Sequence, residues 1–533
     1  MTSLDKRQNR WGALLLFVGT LLLFSATNLD GTWILDDRYQ IERNPYLRSI
    51  THVPHILTTP LWMATGAESP GSGIYRPVHI LSYAVDYHLT GLRPWFFHLD
   101  SNLLHALNVL LLFFLARRFL AFRTSLIVGA LFAVHPIVTE TATWIGGRMD
   151  LLVTLFALSC VQALASLTNG HDGPKWAAWV LYVLSIPFGI FSKEVFVPVP
   201  FATLAAIALF RGFRGINRNA WVAFGIAVIA TVACLSWRSH VIGIPIASLF
   251  APIATVNFPA LLRRFFTLTL IPADTEFLFR YVPAHTSLAI SALMTVATVL
   301  GTMAVAWWAR RGAAVPLGLG LFLAPLVPIS LVVDITGLLS ERYFYLPLAG
   351  FLLFAGGMVE ILSPWIRSHT GAWLKRMFPV AAGALICLLA VQTGARNRDW
   401  INEPRLYSSS IARDPANPLP NYFLAVMYHR LGDTSSEIAN YETALSKDAD
   451  HISSLNNLAV LFIERGKDAE ARALLDRAFR IQPARPKTVF NYGYLYEKMG
   501  RSDEARRWYT RALELKPDYE LARQALDRLE THR

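Results

Sequence analysis

Hydrophobic positions along the first 400 residues do not alternate with polar ones. They run together in stretches, most of them near the roughly 20 residues that an apolar helix needs to cross a bilayer, and short basic or Pro/Gly-marked loops divide them. Eleven spans can be marked, at 11–29, 97–116, 124–138, 147–168, 175–191, 195–211, 220–240, 287–309, 313–333, 342–362 and 377–394. With the basic N-terminus inside, Arg117, Arg118, Arg123, Lys175, Arg211 and Arg376 all fall on inside loops, while nearly every carboxylate falls outside. An odd number of spans then puts the C-terminal part outside. The stretch from Val256 to Leu270 breaks this pattern unless it does not cross. Phe258, Leu261, Leu262, Phe265 and Leu268 share one helical face opposite Arg263 and Thr267, so it is placed flat on the outer membrane surface. Pro77 to Leu89 is also too short to span, which leaves 30–96 as a long, partly helical outer loop; such length usually signals function. The run that begins at Trp11 is longer than a signal peptide's apolar core and lacks a flanked small-x-small cleavage site, so it reads as a retained anchor.

After residue 400 the spans stop and a 34-residue period begins. Gly432, Gly466 and Gly500 recur at that spacing, as do Ala444, Ala478 and Ala512, the small residues Ala425, Ala459 and Gly493, and the aromatics Tyr428, Phe462 and Tyr496. This is the period of tetratricopeptide repeats. Full repeats fall at 418–451, 452–485 and 486–519, Tyr407 and Pro415 match half of an earlier one, and 520–533 forms a polar capping helix. The predicted fold is all-α: a polytopic membrane domain at 1–399, then a repeat solenoid at 400–533. Tyr422, Asn456, Asn457 and Asn491 are candidate residues of a peptide-binding groove.

Composition sharpens the division. The chain is 54% hydrophobic and 16% charged, against about 25% charged in a soluble domain, which excludes an ordinary soluble enzyme. The net charge of +12 is not a nucleic-acid footprint, because residues 1–400 hold 29 Lys and Arg against 18 Asp and Glu while 401–533 hold 20 against 19. The excess belongs to the membrane loops. Cys160, Cys234 and Cys387 lie in apolar stretches and suggest neither a disulfide framework nor a thiolate metal site. Walker and dinucleotide glycine motifs are absent from the sequence.

Candidate chemistry gathers at the outer ends of the spans. Asp36-Asp37 follows the first span, and adjacent carboxylates repel, which raises one pKa and suits it to proton abstraction; a solvated cap is the plain alternative. Glu140, Arg148 and Asp150 stand at the ends of two spans, where charge is costly unless paired or wetted, so a structural Arg148–carboxylate pair competes with a site. Lys193, in Ser192-Lys193-Glu194, either makes a hairpin turn or faces an anion outside. Arg342, after Glu341, either forks a phosphate or pairs locally. His98, Ser101, Asn102 and His105 form a polar face best read as a buried hydrogen-bonded stripe, and no ligand set identifies a metal ion.

These residues, with Tyr75-Arg76-Pro77, Phe97-His98-Leu99, His135-Pro136, Gly147-Arg148-Met149-Asp150 and Tyr345-Leu346-Pro347 in the same order and repeats behind them, resemble the transmembrane-and-tetratricopeptide O-mannosyltransferases and their bacterial relatives, which are similar to the wider GT-C glycosyltransferases. The resemblance implies an inverting transferase that moves a sugar, a hexose such as mannose, from a polyprenyl phosphate carrier to Ser or Thr hydroxyls of exported proteins at the periplasmic or luminal face. It implies Asp36 or Asp37 as catalytic base; Arg148, Lys193 and Arg342 would face the donor phosphate, with Glu140, Asp150 and Glu341 in the same substrate site. The repeats are fewer than in eukaryotic members and no retention signal is present, which fits a bacterial inner-membrane protein with a cytoplasmic N-terminus and periplasmic repeats. Transfer to a surface glycan or lipid, and a non-catalytic membrane anchor for peptide-binding repeats, are the competing functions. The topology has a direct test. A reporter fused after Arg533 is expected to read on the outer side, and a cytosolic signal would overturn both the span count and the surface placement of 256–270.

Overall fold

The computed structural model describes residues 3–61, 74–169, 175–212, 217–244, 258–272, 279–280, four positions between 301 and 308, 312–330, 338–369 and 372–531. It divides into two compact units, Met1–Asn402 and Glu403–Arg533. Apart from a two-residue antiparallel pairing of Phe279–Arg280 with Leu338–Leu339, the described structure is helical. The protein is a polytopic helical membrane protein with C-terminal tetratricopeptide repeats.

Among the described residues seven helices are long and apolar enough to cross a membrane, within Asp5–Ala26, Pro94–Arg117, Ile145–Thr168, Lys175–Ser192, Arg218–Ile242, Glu341–Trp365 and Met377–Trp400. Three further expected spans are shorter apolar helices, at Phe122–Val134, Glu194–Phe210 and Ala314–Ser330. The expected span 287–309 lies almost wholly outside the described residues. Close packing is carried by small residues. A Cβ on Gly318 would collide with the backbone of Phe354, and one on Gly350 with the backbone of Phe322, so the Ala314–Leu323 and Tyr345–His369 helices cross with their backbones touching.

The Phe258–Leu270 helix forms, but its apolar face is not laid on lipid. Phe258, Leu261, Phe265 and Leu268 are buried, and the Phe265 ring packs at 4.7 Å from Phe322, 5.6 Å from Phe344 and 5.5 Å from Phe351. An amphipathic period cannot distinguish a lipid neighbour from a protein one, and here the protein supplies it. The segment after the first helix has a core of its own, in which Trp33, Ile41, Leu47, Ile56, Ile80 and Tyr83 pack with Phe97 and Ile145. That core fixes the segment carrying Asp36 and Asp37 against the start of two membrane helices.

In the repeat unit, Gly432, Gly466 and Gly500 all adopt positive φ, 75°, 68° and 73°, which only glycine tolerates without strain. Ala444, Ala478 and Ala512 are fully buried, and a Cβ on Gly493 would run into the Tyr509 ring. Asn456 and Asn491 are not groove residues. The Asn456 amide donates to Ile452 O at 2.9 Å and Thr488 Oγ1 at 3.0 Å, and the Asn491 amide donates to Asn456 Oδ1 at 3.0 Å. Both side chains are consumed in a buried ladder between repeats. Asn457 and Tyr422 stay half-buried: the Asn457 amide donates to the Tyr441 hydroxyl at 2.9 Å and its oxygen accepts from Lys487 Nζ at 3.0 Å, and Tyr422 rests against Tyr441 and His451.

The glycine crossing yields a stability prediction. Gly350→Ala is expected to destabilise the membrane unit by about 1–3 kcal/mol through overpacking, read as a lower thermal midpoint in detergent, whereas Gly383→Ala, which meets nothing within 4 Å, leaves it in place.

Candidate active site

The chain leaves its first helix at Asn28 and turns back on itself. Among the described residues, Leu35 is the non-glycine residue with positive φ, at 50°. Strain of this kind persists only where the surroundings hold it, and here it directly precedes the acid pair. Asp37 directly precedes a π-helical turn, Arg38–Glu42, closed by Arg43 N donating to Arg38 O at 2.9 Å; such turns concentrate at functional sites. Gln40 of this turn is buried and pairs with His79 Nε2 at 3.0 Å, tying the turn to the Pro77–Thr90 helix.

The two acids are placed differently. Asp37 is 1% exposed, and both of its oxygens are occupied: Oδ2 accepts from Ile34 N at 3.2 Å and Oδ1 from Gly146 N at 2.9 Å. It anchors its own loop to the Ile145–Gly147 turn. Among the described residues the Asp36 carboxylate has no hydrogen-bond or ion-pair partner, and the charge bearing on it is that of Arg342. Burial pushes both carboxyls above the usual carboxylate range, Asp37 farther, and Arg342 opposes the rise at Asp36.

Arg342 is the open cation of the group. Its guanidinium stacks 4.6 Å over Trp144 and 5.5 Å over Tyr343, and its carboxylate neighbours stand off, Glu140 at 3.6 Å and Asp150 at 3.9 Å. Glu140 is turned elsewhere, accepting from Ser340 Oγ and from Arg342 N. Lys193 Nζ bonds Asp150 Oδ1 at 2.5 Å and lies 4.6 Å over the same Tyr343 ring. Burial pulls the Lys193 ammonium down to about 8, with Asp150 opposing. Two cations over one tyrosine ring, sharing one tightly bound carboxylate, can accept an anion without leaving a buried acid unpaired.

Two residues expected beside a phosphate are placed otherwise. Arg148 is fully buried and satisfied: it bonds Asp86 at 2.6 Å, approaches Asp100 at 3.3 Å, donates to Phe97 O at 2.8 Å and stacks over Tyr83. Its charge is used up in joining the outer-loop helix to the start of two membrane helices. Burial raises the partner Asp86 to about 6 even against the arginine. Glu341 points away from Arg342 and pairs with Arg396 at 2.6 Å, both buried. The polar stripe is structural as read, with His98 bonded to Thr143 O, Asn102 to Asn28 and His105 to Tyr345 OH.

Sequence reasoning missed Arg76 and Arg238 as site neighbours. Arg76 bonds Glu194 at 3.0 Å, Arg238 approaches the other oxygen of Glu194 at 3.5 Å, and the charges of Arg76 and Arg342 both bear on Lys193. Arg238 had a signal, a charge inside the apolar Arg218–Ile242 helix. Trp144 and Tyr343 had none, since ring faces leave no trace in a charge pattern. Among the described residues no cluster of three His, Cys, Asp or Glu side chains is placed to hold a metal ion.

Residues 77–237 match the family model described as dolichyl-phosphate-mannose-protein mannosyltransferase, and 450–518 match a tetratricopeptide repeat model. The protein O-mannosyl-transferase TMTC3 of Mus musculus is 25% identical over 499 residues, 84% of this chain and 53% of its own length. Over most of its length the chain is similar to protein O-mannosyl-transferases of this kind. TMTC4 of Mus musculus is 27% identical over 81% of this chain and 66% of its own. The chain thus spans about half to two thirds of the length of these relatives. Among solved structures, the oligosaccharyltransferase AglB of Archaeoglobus fulgidus aligns over 76% of this chain and 56% of its own at 12% identity, with a TM-score of 0.44.

The two arginines separate experimentally. Arg148→Met leaves Asp86 buried without its partner and is expected to destabilise by about 3–5 kcal/mol, read as loss of folded protein in detergent. Arg342→Met, next to carboxylates that keep Ser340 and Lys193, is expected to remain folded.

Proposed function

We propose that this protein is an integral membrane glycosyltransferase that moves a hexose such as mannose from a polyprenyl phosphate carrier to Ser or Thr hydroxyls of exported proteins at the outer face. The observation that carries this reading is the split within the acid pair: Asp37 has both oxygens committed to backbone N–H groups, while Asp36 is uncommitted and faces Arg342. Asp36 is the general base and Asp37 the residue that positions it. A lipid phosphate is already a good leaving group, so the work lies in orienting the acceptor, removing its proton and stabilising the departing anion. Asp36 takes the hydroxyl proton as the oxygen attacks the anomeric carbon. The bond to phosphate breaks on the opposite face, so the configuration inverts. Lys193 and Arg342 receive the charge that develops on the phosphate, and Asp150 keeps Lys193 in place. The repeat unit presents acceptor peptide, with Tyr422 and Asn457 in its groove. A mere anchor gives no reason to hold a strained turn, an uncommitted, half-buried acid and an open arginine together.

With a supplied lipid-linked sugar, Asp36→Asn is expected to lower turnover by roughly a hundredfold to ten-thousandfold while remaining folded and still binding polyprenyl phosphate. Asp37→Asn, which replaces one acceptor oxygen with an amide donor facing an N–H, loses less turnover and more stability. The pH profile carries signs. Activity requires ionised Asp36, so it falls as pH drops through a value above the usual carboxylate range; Arg342→Gln removes the charge that opposes the rise and moves this limb to higher pH. Loss of charge on Lys193 as pH climbs past about 8 gives an alkaline fall, which Lys193→Arg removes. Full activity of Asp36→Asn across the pH range would defeat the assignment.

A further inference from the structure

The last membrane helix, Ala372–Asn397, ends in a tight turn at Arg398–Trp400, and the repeat unit begins at Glu403. In the six residues from Arg396 to Ile401 the chain touches three of the loops that build the site. Arg396 pairs with Glu341 at 2.6 Å, one residue from Arg342. Asn397 Oδ1 accepts from Thr143 Oγ1 at 3.0 Å. Trp400, 1% exposed, lies parallel to Trp144 with ring centres 6.4 Å apart and planes within 23°, and Trp144 carries the Arg342 guanidinium over its ring. Ile401 O accepts from Thr32 N at 2.9 Å and from Thr32 Oγ1 at 3.3 Å, four residues before Asp36. A helix end that needed only to be buried would pack against one neighbour. This one is bonded to the loop of the base, the loop that anchors the base and the loop of the open arginine.

We propose that the segment Arg396–Ile401 is a brace that sets the position of Asp36 relative to Arg342, with Trp400 and Arg396 as its positioning residues. The same backbone runs directly into the repeats, so strain applied at Glu403 when the repeats engage an acceptor reaches the base and the arginine together. The inference rests on the assignment of Asp36 and Arg342 made above. Trp400 acts through Trp144 on the arginine, Ile401 acts through Thr32 on the loop of the base, and Arg396 holds Glu341 in the turn from which Arg342 projects. Coupling between distant sites amounts to roughly 5–150-fold in affinity, and a rigid segment with contacts to three loops is a suitable carrier.

The test uses the full chain in detergent or nanodiscs, comparing Trp400→Leu, which removes the ring, with Trp400→Phe, which keeps one. Amide hydrogen exchange over 32–37 and 142–147 is expected to rise about tenfold in Trp400→Leu and to return toward the parent in Trp400→Phe, while exchange over 83–90, held by the Arg148–Asp86 pair, stays the same. Affinity for a long-chain polyprenyl phosphate is expected to fall about tenfold in the leucine variant only. Neither measurement needs turnover, so a chain that transfers no sugar still reports on the brace. Should Trp400→Leu fail to accumulate folded, Asn397→Ala removes the bond to Thr143 and is expected to raise exchange over 142–147. Unchanged exchange in both segments, or a rise spread equally over 83–90, overturns the proposal. An exchange rise as expected with no loss of polyprenyl phosphate affinity overturns it as well, because the brace would then not reach the arginine.

Discussion

A charge at the end of a membrane helix must be paired, stacked or wetted, because leaving it bare in a low-dielectric setting costs several kcal/mol. The helix ends that carry the candidate site are arranged by that constraint. Arg148 meets it in full, with two carboxylates, a carbonyl and the faces of Tyr83 and Phe97, and it therefore ties the outer loop to the helices and is closed to anything else. Arg396 and Glu341 meet it as a buried pair. Lys193 and Asp150 meet it at 2.5 Å between the starts of two apolar elements. These closed pairs fix the frame, and the site lies where pairing is left incomplete.

Arg342 is that incomplete place. Its nearest acidic oxygens stand at 3.6 and 3.9 Å, beyond a good charge-assisted hydrogen bond of about 2.7–2.9 Å. Part of the missing stabilisation comes from the rings of Trp144 and Tyr343, since a cation over an aromatic face gains about 0.5–2 kcal/mol without using its N–H donors. The donors remain available for an incoming anion. Tyr343 also underlies Lys193, so one ring offsets part of the cost of holding two cations that repel each other.

Much of this was legible from residue types. Apolar runs gave the helices, the 34-residue period gave the repeats, and the one-sided distribution of acids pointed to the outer ends. The individual roles at the site were not legible, because they depend on what each side chain faces. Arg148 and Arg342 are both arginines at the start of an apolar helix next to acids, yet the outer-loop Asp86 closes the first and nothing closes the second. Asp86 sits 62 residues from Arg148, and no local pattern connects them. Asn456 and Asn491 likewise fall on exposed-looking positions of a repeat, but Thr488 and Asn456 take their amides. The helix at 258–270 was found by its period, but what covers its apolar face was not, since a period records that a face is apolar without recording its neighbour.

Adjacent aspartates look interchangeable in a sequence. In a turn they are not, because successive side chains leave the backbone in different directions, and the turn decides which one goes inward. Leu35 at φ 50° reverses the chain just before the pair, and the π-helical turn after it displaces the following residues by one hydrogen-bond step. Between these two irregularities Asp37 is driven onto the N–H groups of Ile34 and Gly146, and Asp36 is left toward Arg342. Both irregularities are costly, and neither stabilises the loop by itself. Their combined effect is to give two chemically identical groups different environments. One carboxylate is held by backbone donors and so sets geometry; the other, desolvated but uncommitted, is left free to exchange a proton.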